Sequence, residues 1–115
     1  MNDSIDSYSF GKIVIDGKKY TNDLIILPNR IKDNWWRKKG HKLLVDDISD
    51  DLDSNIDTLI IGTGAYGRMK VPKNTRTYIK SKDIKLIVKK SENACKAYNK
   101  IHDSGNVALA IHLTC

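Results

Sequence analysis

Three short apolar runs, Thr58 to Ile61, Ile84 to Val88 and Val107 to Leu113, are separated by stretches that each have room for one helix. Strands that are apolar on nearly every residue belong to sheets covered on both faces, because a sheet with one wet face shows alternation instead. Strands joined through helices become parallel neighbours by right-handed crossovers. The chain therefore reads as α/β: a compact three-layer-type domain with a parallel or mixed central sheet.

The intervening stretches support helices. Pro72 suits a first helical turn, where its missing N–H is not required, and Val71, Thr75, Tyr78 and Ile79 supply an inner face. Ala94, Ala97, Tyr98 and Ile101 fall at helical spacing. Ser91 is placed to cap that helix with its hydroxyl, and Gly105 to close it in a left-handed conformation. Upstream, Val45, Ile48 and Leu52 form a short helical stripe.

The N-terminal part reads as an antiparallel β unit. Phe10 to Ile15 and Tyr20 to Leu27 flank Asp16-Gly17, a dipeptide that tolerates the positive φ angles of a tight hairpin. Pro28-Asn29-Arg30 breaks the run, and Ile31-Lys32 begins a third strand. Residues 1–8 are expected to be a flexible N-terminus, and 9–115 a single domain. That polar start resembles neither a secretory signal nor a transit peptide. No apolar run approaches the ~20 residues that cross a bilayer, so a cytoplasmic location without membrane contact is expected.

The net charge of +6 would suit an anionic partner. The lysines are spread along the chain, however, and Asp46 to Asp57 is an acidic block, so a nucleic-acid partner is not expected. Cys95 and Cys115 have no metal spacing and read as free thiols. His41, His102 and His112 include no close-spaced ligand pair. No metal, cofactor or catalytic residue is expected.

The stretch IIGTGAYGRMKV, from Ile60 to Val71, carries the sharpest functional question. Gly62, Gly64 and Gly67 have the G-x-G-x-x-G spacing of a dinucleotide loop, but Arg68-Met-Lys-Val71 intervenes before Pro72 and displaces the helix end that would face a pyrophosphate. As an NTP loop it offers Arg68 and Met69 where lysine and a magnesium-binding hydroxyl are needed. Two readings remain open. The first is a glycine turn that permits close helix–strand packing, with Arg68 in solvent. The alternative is a small-anion site built from Gly62, Thr63, Gly64, Tyr66, Gly67 and Arg68, at the sheet's carboxyl edge beside Lys89, Lys90 and Thr114-Cys115.

Trp35-Trp36-Arg37-Lys38-Lys39-Gly40-His41 is the other unusual stretch. On an extended segment neighbouring side chains point to opposite sides, so one tryptophan anchors the loop while the other is free to meet a partner. Strand alternation places His112 with Ala108 and Ala110, as a satisfied, semi-buried histidine.

Ser9-Phe-Gly-Lys-Ile13, Trp35-Trp36-Arg37, Gly40-His41, the run from Ile61 to Gly67, Tyr98-Asn99 and His112-Leu-Thr-Cys115 occur in that order. In this combination the chain, from Ser9 to Cys115, resembles a small-domain family of unknown function. That family includes the adipogenesis-associated protein of mammals, a mitochondrial complex I assembly factor, and stand-alone archaeal and bacterial proteins. The resemblance implies a compact α/β fold and a role in interaction or assembly, with no agreed catalytic residues; an organellar role is not carried over. One departure is local: where the family often has Ser-Pro before Asp46, this chain has Leu44-Val45. The motifs mark Trp35, Trp36, Arg37, His41 and His112 as a candidate contact surface. The chain is thus read as a non-enzymatic domain acting through protein contacts, as an assembly or regulatory factor. The alternative is a small-molecule or anion binder, or a cryptic enzyme, using the Gly62–Gly67 loop and Arg68.

Overall fold

The computed structural model describes residues 4–53 and 55–115. The chain opens with a three-stranded antiparallel meander, β1 (Ile5–Ser9), β2 (Lys12–Ile15) and β3 (Lys18–Tyr20). It continues through β4 (Leu24–Leu27), β5 (Arg30–Lys32) and α1 (Val45–Ile48), which runs into a 3₁₀ turn at Ser49–Asp51. The remainder alternates β6 (Thr58–Thr63), α2 (Lys73–Lys80), β7 (Lys85–Lys89), α3 (Ser91–Ile101) and β8 (Val107–His112), with a 3₁₀ turn at His102–Ser104.

The three apolar runs are neighbours in one five-stranded sheet of order β5-β4-β8-β6-β7. β6 is parallel to both β7 and β8, while β4 runs antiparallel to β8 and to β5, so the sheet is mixed. Alternation along each strand divides the core in two. Ile25, Leu59, Ile61, Ala108 and Ala110 face Leu43, Ile48, Val71 and Ile79, the side of α1 and α2. Leu24, Ile26, Ile60, Leu109 and Ile111 face Ala94, Cys95 and Tyr98 of α3 and Ile5, Ile13 and Ile15 of the meander. The result is three layers, with the large sheet in the middle. Each of its fully buried large side chains contributes about 1.5–3 kcal/mol, which is why the central strands tolerate no polar alternation.

Several local expectations are corrected by tertiary packing. The hairpin forms at Asp16-Gly17, both with positive φ, but Phe10 lies in the β1–β2 turn and not in a strand. The single expected strand from Tyr20 to Leu27 is two strands in different sheets, because the link around Asp23 is drawn to the end of β8, where Asp23 Oδ1 accepts the Leu113 N–H at 2.7 Å. Residues 5–8, expected to be flexible, make up most of β1; the part of that expectation falling on residues 1–3 lies outside the described residues. The outer edge of β1 is held as another strand would hold it: Ile5 N–H donates to Asn99 Oδ1 and Asn99 Nδ2 donates to Ile5 O, both at 2.8 Å.

Ser91 does not cap α3. Lys90 is the capping residue, and the buried Ser91 hydroxyl instead accepts the Gly64 N–H at 2.8 Å and donates to His112 O at 2.5 Å. Gly105 is extended, not left-handed, because the 3₁₀ turn intervenes first. A side chain there would come within 2.9 Å of Asp57 Oδ2, which accepts the Asn106 N–H.

Candidate functional site

β6 has β7 on one side and β8 on the other, and the connecting helices α2 and α3 pack on opposite faces of the sheet. In open α/β sheets the crevice for a ligand lies at such a reversal, outside the carboxyl ends of the strands. Here it falls between the glycine loop after β6 and residues 113–115 after β8. The parallel pairing of β6 with β8 thus brings the glycine loop and Thr114-Cys115 to one edge, as the expected neighbourhood had it.

Five of the loop's backbone donors are already engaged. Ala65 N–H donates to Thr114 O at 2.6 Å and Arg68 N–H to Cys115 O at 3.0 Å. Gly64 N–H reaches Ser91 Oγ, while Gly67 N–H and Met69 N–H bond within the loop, to Gly64 O and Thr63 O. Thr63 Oγ1 donates to Lys89 O at 3.2 Å. Two of the glycines are explained by close approach. A Cβ on Gly62 would stand 2.9 Å from Ile111 Cγ1 and 3.3 Å from Ala94 Cβ, so its absence lets α3 sit directly on the sheet. Gly64 has φ of +105° and lies against the Cys115 backbone and the His112 ring. Arg68 is exposed.

Ser91 ties the glycine loop to β8 through two buried bonds. Ser91→Ala is expected to cost about 1–3 kcal/mol, the usual effect of stranding buried hydrogen-bonding groups. A urea midpoint unchanged within error would show that the Gly64 N–H and His112 carbonyl are satisfied without it.

In front of the loop stand two exposed rings, Phe10 (54% exposed) in the β1–β2 turn and Tyr66 (66% exposed), with centroids 6.0 Å apart. A cleft of about 360 Å³ lies between Phe10 and the start of α3, lined by Tyr8, Phe10, Ala65, Lys90, Glu92 and Asn93 among others. Tyr8 donates its phenol hydrogen to Leu113 O at 2.8 Å. Burial first, then the proximity of Cys95, raises its pKa above the ordinary value and keeps it a donor.

Behind the crevice lies a charged cluster. Asp23 Oδ2 is 2.7 Å from His112 Nδ1 and 2.9 Å from Arg37 Nη1. Arg37 Nη2 donates to Gly40 O at 3.1 Å, and the guanidinium lies 4.8 Å from the Trp35 ring centroid. The shorter contact assigns the Nδ1 hydrogen of His112 to Asp23, so the 3.1 Å approach of Arg37 Nη2 to the same nitrogen is proximity between two donors. The Arg37 Nη1–Asp23 approach is an ion pair without hydrogen-bond alignment, and Arg37 Nε and His112 Nε2 are buried with no partner among the described residues. Charge therefore holds this cluster as much as directed bonds do. Burial alone would raise the Asp23 pKa, but the hydrogen bonds from His112 and the Leu113 N–H, then the charges of His112 and Arg37, bring it below the ordinary value.

The tryptophan pair divides as its spacing implies. Trp35 is buried and donates Nε1–H to Asp47 O at 2.9 Å, whereas Trp36 is 76% exposed. His41 is exposed, its ring edge-on to His112 at 6.0 Å. Trp35, Arg37, His41 and His112 thus form one contiguous group, and His112 is more fully buried than expected. Asp23 was not singled out by sequence, and Phe10 only within the Ser9–Ile13 motif, with no role assigned to it. The one signal for Asp23 is an acidic residue directly ahead of four consecutive apolar ones, which marks the mouth of a buried strand.

Among the described residues no group of three His, Cys, Asp or Glu side chains is gathered to hold a metal. None of their helices is long and apolar enough to cross a membrane.

A model of the family described as "Protein of unknown function (DUF498/DUF598)" matches residues 5–112. Among solved structures, the chain is similar to the conserved hypothetical protein PH1505 from Pyrococcus horikoshii OT3, with 27% identity, a TM-score of 0.82, and 96% of this chain and 98% of that chain covered. It is similar in fold to an outer membrane protein from Bartonella henselae, at 24% identity and a TM-score of 0.78, covering 96% and 97% of the two chains. A Bordetella pertussis protein described as a Mth938-like domain has the same fold at 13% identity and a TM-score of 0.75, covering 97% and 86%.

Proposed function

The chain belongs to the DUF498/DUF598 family, and within that family we propose that it acts as a non-enzymatic protein-contact domain, an assembly or regulatory factor. Its contact face in this reading is the carboxyl end of the parallel strands. One observation carries it: the glycine loop spends the N–H groups of Gly64, Ala65 and Arg68 on Ser91, Thr114 and Cys115 and those of Gly67 and Met69 within itself, while Phe10 and Tyr66 stand exposed beside it. A cradle for phosphate needs free N–H groups. Exposed aromatic rings on rigid turns are instead the side chains that anchor protein interfaces. Trp36 is a further anchor of the same kind, displayed on a loop that Trp35 and Arg37 hold in place. Binding of a small anion by Arg68, Lys89 and Lys90 would have to rest mainly on exposed side chains, because the N–H groups of Gly64, Ala65, Gly67, Arg68 and Met69 are taken.

The test is affinity purification from the source cells with identification of the co-purified protein. In this reading a folded Phe10→Ala/Tyr66→Ala variant loses at least tenfold of a stoichiometric partner, since one anchor of ≥2 kcal/mol is worth about thirtyfold. Its stability stays within about 0.5 kcal/mol per site, as for exposed substitutions. Recovery of the same partner at the same yield by the folded variant would exclude this face.

A further inference from the structure

Among the described residues the two sheets have four strand edges, and they are not treated alike. The β1 edge is paired by the Asn99 amide. β5 carries side chains bound by Asp51, with Lys32 Nζ at 2.9 Å and Arg30 Nη2 at 3.8 Å. β3 is three residues long. β7 is five residues long and pairs only with β6. Its central Leu86, Ile87 and Val88 are half-buried, whereas their neighbours Leu59, Ile60 and Ile61 across the ladder are fully buried.

The backbone of β7 has a defined open side. Lys85 N–H donates toward β6, to Asp57 O at 2.9 Å, and Lys89 O accepts from Thr63 Oγ1 on the same side. Alternation then turns the N–H and C=O groups of Leu86 and Val88 outward. Lys85, Ile87 and Lys89 share one face of the strand, with Leu86 and Val88 on the other. A second copy is a poor occupant: antiparallel pairing about Ile87 would set Lys85 against Lys89 of the other chain at both ends, and like charges directly opposite are unfavourable.

We propose that β7 is a docking edge for an extended protein segment that adds a sixth strand to the large sheet, with apolar residues flanked by two carboxylates four positions apart. The carboxylates stand opposite Lys85 and Lys89. The three residues between them cover Leu86, Ile87 and Val88, and their backbone pairs with the outward groups of Leu86 and Val88. Main-chain bonds supply affinity in such strand addition and flanking side chains supply choice. The β7 edge meets the carboxyl-end face only at its Lys89 end, and its test reads the Leu86 and Val88 amides and not Phe10 or Tyr66, so either proposal can fail without the other.

The test is amide NMR with hydrogen exchange on the folded protein. The probes are the blocked peptide Ser-Thr-Glu-Val-Ile-Val-Glu-Thr-Ser and its counterpart with both glutamates replaced by lysine. The acidic peptide should shift the Leu86 and Val88 amides saturably and slow their exchange at least tenfold, with the lysine peptide at least tenfold weaker. Val88→Pro removes an outward N–H and spares the ladder to β6, so it should abolish binding. Should that variant fail to fold, Lys85→Glu/Lys89→Glu decides the matter, because it should invert the preference to the lysine peptide. Unperturbed Leu86 and Val88 amides, equal affinity for both peptides, or peptide-independent protection that grows with protein concentration (a second copy as occupant) would each overturn the proposal.

Discussion

Replacing Asp23 with alanine is expected to lower the folding free energy by about 3–5 kcal/mol, the usual result of breaking a buried ion pair from one side. Arg37 is the reason: its side chain is only 4% exposed, and Asp23 is its only carboxylate partner among the described residues. The same substitution strands the Nδ1 hydrogen of His112 and the Leu113 N–H. Arg37→Met should cost less, because Asp23 is 19% exposed and keeps His112. The double variant Asp23→Ala/Arg37→Met should be less destabilised than the sum of the single ones, since it leaves no lone charge. The pH dependence has a definite sign. The folded carboxyl has a pKa below its ordinary value, so the unfolded chain binds the proton more readily as pH falls. Stability from this group is therefore complete above the ordinary carboxylate pKa of ~3.9 and is lost as pH drops through the folded value. Urea titrations from neutral pH down to pH 3 should show a shallower acid limb for Asp23→Ala than for the parent. A parallel limb, or a loss under about 1 kcal/mol at neutral pH, would mean that water already solvates the cluster.

Much of this architecture is written in local pattern. The apolar runs located β6, β7 and β8, alternation placed His112 with Ala108 and Ala110, and the adjacency of Trp35 and Trp36 foretold one ring in and one out. Local rules failed where a distant residue competes for the same atoms. Ser91 has a sequence context suited to capping, yet its hydroxyl is taken by Gly64 and His112, 27 and 21 residues away. Asp23 meets His112 across 89 residues of chain, a separation over which no spacing rule operates. Strand order was equally hidden, because periodicity records which faces are covered and not which strand has a free edge; β7 and β8 are both apolar runs. The glycine motif was ambiguous for the same reason. Its spacing describes a backbone that something approaches closely, and says nothing of whether that is a ligand or residues 113–115 of the same chain.

Gly64→Ala separates those two readings. A Cβ at position 64 would overlap the Cys115 carbonyl carbon and lie 2.8 Å from His112 Cδ2, at a φ of +105° that L side chains rarely adopt. The first contact is with backbone, so no rotamer change relieves it. Residues 114 and 115 must move, and with them go the bonds from Ala65 N–H to Thr114 O and from Arg68 N–H to Cys115 O. Pressure on the His112 ring also reaches the Asp23–Arg37 pair. Backbone strain of about 1–3 kcal/mol adds to an overlap of about 1–3 kcal/mol, so a total near 4 kcal/mol is expected. Amide exchange at Ala65 and Arg68 should accelerate along with it. Gly67→Ala is the internal control. Its φ of +70° carries the left-handed cost of about 1–2 kcal/mol, but the nearest atoms are Lys90 Cγ and Cε at 3.3 and 3.4 Å, the flexible stem of an exposed side chain. It should therefore be the milder substitution by 2 kcal/mol or so. Were the loop a cradle for an anion, with residues 113–115 resting in it only loosely, the two alanines would cost alike, and Gly64→Ala would chiefly abolish stabilisation by added phosphate. A large, phosphate-independent loss confined to Gly64→Ala is what a loop closed around its own chain requires.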